Sequence, residues 1–376
     1  MKYHKLGSSE IVVPICCLGT MTWGEQNTEE EAWEQLDYAL SKGVNFIDTA
    51  ELYPVPSTPC NSVRTETYIG NWLKARNCRD KMVIATKVSG PIHASFDRTY
   101  IVANRTDPPA DFAQQPQLDA ASIRSAVEGS LRRLQTSYID VYQIHWPSRQ
   151  LPKFGQRRYV PRPGAEAADG QADPIPLEEQ VRAMGELIQE GKIRAWGVSN
   201  ETTFGVCQLH EVARQLGVPP PISIQNDFSL LFRFYEEELA EAAAPRHLNM
   251  GLLAYGSLAG GVLSGKYLPG STTPDVEEKR SRHSKFPQFQ TRYHTPRALA
   301  ATAKYAEIAE LKGMTPTTLS YAWAASRWFM GSVIVGATSM QQLKENLEAF
   351  EVELDEETLR AIDDVHVTLR NPNASD

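Results

Sequence analysis

Eight short apolar runs recur along the chain, at residues 15–18, 44–49, 82–86, 139–144, 193–198, 222–225, 251–254 and 333–335. Amphipathic stretches separate several of them, at 29–41, 65–75, 120–134 and 177–190, and in the last Val181, Met184, Leu187 and Ile188 keep helical spacing. Strands alternating with helices of this length form βαβ units on a parallel sheet. An open, doubly wound sheet requires Gly-x-Gly-x-x-Gly after its first strand. Here that position reads Gly19-Thr20-Met21-Thr22-Trp23-Gly24, so eight units predict a closed α/β barrel of the (β/α)8 or TIM type. A barrel of about 250 residues tolerates long insertions, and the 376 residues read as one domain, 1–376. The excess sits in three long connections, 89–118, 147–176 and 258–295. All follow strand ends, which predicts long βα loops walling the C-terminal face, although the second also reads as a plain surface insertion.

Residues at the carboxyl ends of barrel strands converge on one face. Asp48 and Tyr53 lie in Phe46-Ile47-Asp48-Thr49-Ala50-Glu51-Leu52-Tyr53, Lys87 closes Val83-Ile84-Ala85-Thr86-Lys87, and His145 follows Gln143-Ile144. A lysine ending an apolar strand needs an anion, and Asp48 on the preceding strand supplies one. Tyr53, five residues on, can return its hydroxyl over that pair, where an ammonium favours phenolate and is expected to lower the tyrosine pKa. His145 would face the same substrate oxygen. Together the four form a proton-transfer set. No second ligand at helical spacing supports a metal at His145, and no Gly-x-Ser-x-Gly elbow supports hydrolysis.

The later strand ends carry neutral hydrogen-bonding groups, in Ser199-Asn200, Gln225-Asn226 and Tyr255-Gly256-Ser257-Leu258. They suit a planar heterocycle bearing an amide, with Ser199, Asn200 and Gln225 on the amide and Tyr255 on the ring. Singly, each also reads as a cap or turn, Ser199-Asn200-Glu201-Thr202 among them. Leu258-Ala259-Gly260-Gly261-Val262-Leu263-Ser264-Gly265-Lys266 is glycine-rich and ends in a cation. Gly336-Ala337-Thr338-Ser339 opens a late helix, where exposed N–H groups favour phosphate. A net charge of −8 argues against nucleic acid or an anionic membrane surface as partner. Five cysteines without paired spacing read as thiols of a cytoplasmic protein. No apolar run has the length of a membrane span.

With these residues in place, the chain resembles the aldo-keto reductase superfamily over almost its whole length, and within it the bacterial Tas-like reductases. A more distant likeness is to voltage-gated potassium-channel β subunits. Gly24-Glu25-Gln26-Asn27, Tyr53-Pro54-Val55-Pro56, His145-Trp146-Pro147 and Gly197-Val198-Ser199-Asn200-Glu201-Thr202 carry it. The resemblance implies NADP(H) as cofactor and Asp48, Tyr53, Lys87 and His145 as the catalytic tetrad. It places Gly19, Thr20, Met21 and Asp48 beside the cofactor, and the carboxamide on Ser199, Asn200 and Gln225 with Tyr255 stacked on the ring. Gly256, Ser257, Leu258, Gly260 and Lys266 follow the pyrophosphate, and Gly336, Thr338, Gln342, Glu345 and Asn346 the adenosine end. Many members have Arg where Gln342 stands, so Arg282, with Arg280 second, is the expected partner of a 2′-phosphate; a solvated charge run is the competing reading. Trp23, Tyr53, His145 and Trp146, with Phe228, form the expected substrate mouth, suited equally to a planar aldehyde or a sugar ring. The expected activity is NADP(H)-dependent reduction of a small carbonyl, or the reverse. A redox-sensing, slowly turning NADPH-binding subunit is the alternative. A homo-oligomer is compatible with either.

Overall fold

The computed structural model describes residues 1–91, 96–161, 175–271 and 281–374. Eight parallel strands close a barrel in the order β3 (Cys16–Gly19), β4 (Phe46–Asp48), β5 (Val83–Val88), β6 (Ile139–Ile144), β7 (Ile193–Ser199), β8 (Ser223–Asp227), β9 (Gly251–Tyr255) and β10 (Met330–Val335), with β10 returning to β3. The fold is therefore the (β/α)8 barrel. Each apolar run is a strand, with edges moved by a few residues. β10 begins at Met330, three residues before the apolar run, because the buried Gly331 and Ser332 extend the pairing through an irregularity against β9. β5 runs on through Val88, so Lys87 lies inside the strand, paired in register with Gln143.

The outer helices begin where local chemistry satisfies their free N–H groups. Thr28 and Glu31 make a reciprocal capping box on the helix Glu29–Ser41. Asp119, Thr202, Ser339 and Asp355 each cap one helix with a side-chain oxygen. Thr295 and Thr315 do the same ahead of a proline in the first turn. The buried face of each helix packs on the barrel exterior through residues such as Leu36, Trp72, Ile123, Met184 and Leu343.

The first fourteen residues hold a two-stranded element that the alternation of apolar runs does not mark. β1 (Tyr3–Lys5) and β2 (Val12–Pro14) pair antiparallel. Leu6 and Val13, both 0% exposed, join Cys17, Phe46, Ala85, Val141 and Leu253 in one cluster inside the barrel, so the hairpin plugs the floor. Gly7 makes this fit: its φ is +55°, and a Cβ there would lie 2.1 Å from the Ile222 carbonyl oxygen.

The first and third long connections are not structureless. The first carries the helix Thr99–Ala103, and the third carries turns of helix at Ala259–Ser264, Arg282–Lys285 and Thr291–His294. Arg105, in the first, forms a two-pronged ion pair with Glu51 just beyond β4, at 2.9 and 3.0 Å. Glu51 also accepts from the Ser89 N–H at the end of β5. Both charges are buried, and they tie this connection to the barrel rim.

Candidate active site

β4 and β5 set the proton-transfer group. Asp48 ends β4 and Lys87 points inward from β5, and Lys87 Nζ donates to Asp48 Oδ2 and to the Thr49 carbonyl, both at 2.7 Å. The same ammonium is 3.4 Å from the Tyr53 hydroxyl. His145 follows β6, its backbone N–H held by the Val88 carbonyl. Its ring meets that of Tyr53 edge-on, with centroids 5.8 Å apart. The structure thus brings together all four residues singled out in the sequence, within one buried cluster.

Burial governs their protonation. It pushes the Tyr53 hydroxyl above its ordinary range, with the Lys87 ammonium pulling it partway back. The expectation that Lys87 would leave the tyrosine below that range is thus corrected: desolvation of phenolate outweighs the cation. Burial also disfavours the Lys87 ammonium, but the charges of Asp48 and then Tyr53 carry its pKa above the ordinary value. His145 is pushed far below its usual pKa, first by burial and then by Lys87, so its imidazole is neutral at pH 7. Among the described residues its Nδ1 has no hydrogen-bond partner.

Asp48, Tyr53 and His145 border a cavity of about 400 Å³, with Lys87 buried behind them. Gly19, Thr20 and Met21 form one edge of it, and Thr20 Oγ1 donates to the Asp48 carbonyl. Ser199, Asn200, Gln225 and Tyr255 form the far wall. Asn200 Nδ2 donates to the His145 carbonyl at 2.8 Å, and the Tyr255 hydroxyl to Asn200 Oδ1 at 2.7 Å. Gln225 Nε2 reaches Asp48 Oδ1 at 2.7 Å, which wires this wall directly to the Asp48–Lys87 pair. Gly256, Gly260, Arg282 and Gly336 also line the cavity. Of the described residues in the long connections, Phe154 from the second and Gly260, Arg282, Phe289, Gln290, Arg292 and Tyr293 from the third reach it. None from the first does, so that loop is not a direct wall. It acts one step back, where the Pro91 carbonyl accepts from Trp146 Nε1.

Several expected site residues are not on the wall of this cavity. Trp23 is 0% exposed and faces away from the cavity, its Nε1 on Gln35 Oε1 at 3.3 Å, because the chain turns inward after Met21. It is core, not substrate mouth. Phe228 is likewise interior, stacked on Trp323. Ser257 Oγ is turned to the Phe228 carbonyl, and Leu258 is packed against the core. Lys266 lines a separate cleft with Tyr267, His283 and His294. Beyond Gly336, Thr338 bonds Gln342 Oε1, Asn346 reaches back to the Gly336 carbonyl, and Glu345 accepts from Thr315, so none of these four is on the cavity wall. Arg282 is on that wall, and no carboxylate pairs with it among the described residues. Arg280 falls outside them.

Sequence reasoning missed three sets. Gln143, buried in β6, donates to Asp48 Oδ1 at 3.2 Å; its place one residue before Ile144-His145 was the available signal. Asp227 ends β8 and accepts from the Tyr293 hydroxyl at 2.7 Å and Arg292 at 3.2 Å, which fastens the third connection beside Tyr255. A carboxylate at a strand end could have marked it. Phe154 and Phe289 sit in irregular loops, where no periodicity singles them out.

Comparison with known proteins agrees with this geometry. The model of the Aldo/keto reductase family matches residues 16–367. The chain is 40% identical over 372 residues to Protein tas of Escherichia coli (strain K12), covering 99% of each chain. It is 35% identical over 299 residues to an Aldo-keto reductase of Babesia bovis, covering 78% of this chain and 98% of that one. To the Uncharacterized oxidoreductase YrpG of Bacillus subtilis (strain 168) it is 28% identical over 369 residues, 97% of this chain and 96% of that one.

Proposed function

The chain belongs to the aldo/keto reductase family and is an oxidoreductase, and from that premise we propose that it moves hydride between NADP(H) and a small carbonyl or alcohol. The observation that carries this reading is the buried Lys87 ammonium, 2.7 Å from Asp48 and 3.4 Å from the hydroxyl of Tyr53, which itself borders the cavity together with His145. Two further features of the cavity support a dinucleotide as its occupant. Gly256 and Gly260 line it with positive φ, and a Cβ on them would press on Asp227 Oδ1 at 2.7 Å and His283 Nε2 at 2.9 Å, so this close-packed stretch of wall requires glycine. Arg282 supplies a cation without a carboxylate partner among the described residues.

A nicotinamide dinucleotide held there supplies the hydride; the chain supplies placement and a proton. Tyr53, protonated at rest, donates its hydroxyl proton to the substrate oxygen in reduction. Lys87 stabilises the phenolate that remains, and Asp48 fixes Lys87. His145, neutral, shares the substrate oxygen by a hydrogen bond. Leu52, Val55, Trp146, Phe154 and Phe289 offer apolar contact at the mouth. No helix among the described residues is long and apolar enough to cross a membrane, and the cytoplasm is the compartment we assign.

Lys87→Met removes the cation that pulls the Tyr53 pKa down, so that pKa rises further. Oxidation of an alcohol needs phenolate as proton acceptor. The rising limb of its pH profile is therefore expected to move to higher pH in the variant, while carbonyl reduction, which uses the protonated hydroxyl, keeps its activity at low pH better than at high pH. A limb that stays in place would detach Lys87 from the tyrosine.

Titration of NADPH and NADH by quenching of tryptophan fluorescence tests the cofactor reading directly. The wild-type protein is expected to bind NADPH more tightly. Arg282→Ala is expected to weaken NADPH by about tenfold or more, a charge-assisted bond being worth roughly 1.5–3 kcal/mol, and to leave NADH nearly unchanged. An equal loss for both cofactors would move Arg282 from the 2′-phosphate to a part that they share.

A further inference from the structure

A second cleft, of about 270 Å³, adjoins the catalytic cavity. Asn200 and Tyr255 line both spaces, and the Tyr255 hydroxyl donates to Asn200 Oδ1 at 2.7 Å, so this bonded pair is a shared partition. Phe154, from the second long connection, lines both as well. Beyond the partition the cleft is walled by the start of the helix Thr203–Leu216 and by the chain that follows β8. Its walls are aromatic: Phe204 on the helix, then Phe232 and Phe234, whose rings meet edge-on with centroids 5.0 Å apart. The Arg157 guanidinium covers the Phe234 ring at 3.9 Å.

Two of these rings stand largely in water, Phe204 at 65% exposure and Phe154 at 52%. Exposed apolar side chains scattered singly need no explanation, but gathered at one cleft they mark a binding surface. Phe154 also sits at a φ of +55°, which phenylalanine rarely adopts, and backbone held in such a conformation clusters at ligand sites. Size narrows the occupant. An apolar cavity of about 150 Å³ takes one benzene. On that scale the catalytic cavity, at about 400 Å³, takes the ring of a cofactor and one substrate ring, and the cleft, at about 270 Å³, takes one ring more.

We infer that the cleft is a distal substrate subsite, which takes the second ring of an elongated, uncharged aryl carbonyl compound. The carbonyl lies at Tyr53 and His145, and the linker passes Phe154. This deepens the function proposed above and rests on it. Because the two spaces share Phe154 and the Asn200–Tyr255 partition, the occupant of the cleft is the far end of the same molecule. Charges of both signs, Glu237 and Glu238 with Lys153 and Arg157, border the cleft, so neither a cationic nor an anionic tail is favoured over a neutral one. Phe204 borders the cleft and not the catalytic cavity, which makes it a specificity-determining residue remote from the chemistry. Its contact with a tail is the same before and during hydride transfer, so it acts on KM and leaves kcat alone.

The test is NADPH-dependent reduction, by the full chain, of benzaldehyde and of para-substituted benzaldehydes that carry a phenyl ring on methylene tethers of increasing length. KM is expected to fall by about tenfold or more once the tether reaches the cleft, the usual worth of burying an aromatic ring, with kcat close to that for benzaldehyde. In Phe204→Ala most of this gain is expected to be lost, while KM and kcat for benzaldehyde stay at their wild-type values. Phe204→Tyr keeps a ring at the position and is expected to keep the gain. Circular dichroism checks that both variants are folded. A KM that ignores tether length overturns the proposal, as does a gain that survives intact in folded Phe204→Ala, or an equal rise in KM for benzaldehyde itself. Absence of turnover with every aldehyde would remove the reductase reading and this subsite with it, an outcome distinct from turnover that is indifferent to length.

Discussion

Tyr53→Phe is expected to lower carbonyl reduction by about 10²–10⁴-fold, the usual contribution of a placed general acid, with little change in NADPH affinity. The substitution removes one oxygen from a ring whose other contacts are to His145 and Lys87. The wall formed by Ser199, Asn200, Gln225 and Tyr255 makes its hydrogen bonds without the Tyr53 hydroxyl, so the cofactor side is left intact. Burial holds the hydroxyl protonated at neutral pH, which makes it the ready proton source, whereas the neutral His145 keeps its single N–H for a hydrogen bond. Stopped-flow reduction of a benzaldehyde series, with cofactor affinity measured alongside, separates the two effects. A variant that keeps more than a tenth of wild-type turnover would assign the proton to another group.

Arg105→Met is expected to destabilise the fold by about 3–5 kcal/mol, because it strands the buried Glu51 carboxylate without its partner. Glu51 is 0% exposed and Arg105 2%, and nothing else among the described residues offers Glu51 a positive charge within bonding distance. The loss is one of pairing, so removing the second charge should restore much of it. In the double variant Arg105→Met with Glu51→Gln, the amide oxygen can still accept from the Ser89 N–H while no charge is left buried. Urea unfolding of the single and double variants reads this directly. A double variant less stable than Arg105→Met alone would show that Glu51 contributes by something other than its bond to Arg105.

How much of this was legible in the sequence follows from what each feature depends on. A strand that crosses a barrel is buried on both faces, so each left a continuous apolar run. The hairpin formed by β1 and β2 left none, since Tyr3 and Val12 are about half exposed and only Leu6 and Val13 enter the interior. Asp48, Lys87, Tyr53 and His145 could be read together because barrel geometry sends every strand end to the same place. Trp23 misled for a related reason: it follows a strand end, but its ring turned to Gln35 in the helix behind it. The Tyr53 pKa was misjudged because charge is visible in a sequence and depth of burial is not. The pairing of Glu51 with Arg105 spans 54 positions, and no local pattern announces a contact of that range.

The plugged floor has a consequence for the traffic of protons. Below Asp48 and Lys87 the lumen is filled by Cys17, Phe46, Ala85, Val141 and Leu253, with Leu6 and Val13 of the hairpin beneath. These side chains hold no carboxylate, imidazole or hydroxyl through which a proton could hop, and the Cys17 thiol is driven well above its ordinary pKa by burial. The floor is thus packed mainly by apolar side chains, and the open path from Tyr53 to bulk water runs upward through the cavity mouth. Whatever fills the mouth also covers that path, so an occupant of the cavity shields the tyrosine from bulk water: the barrel is a well open at one end.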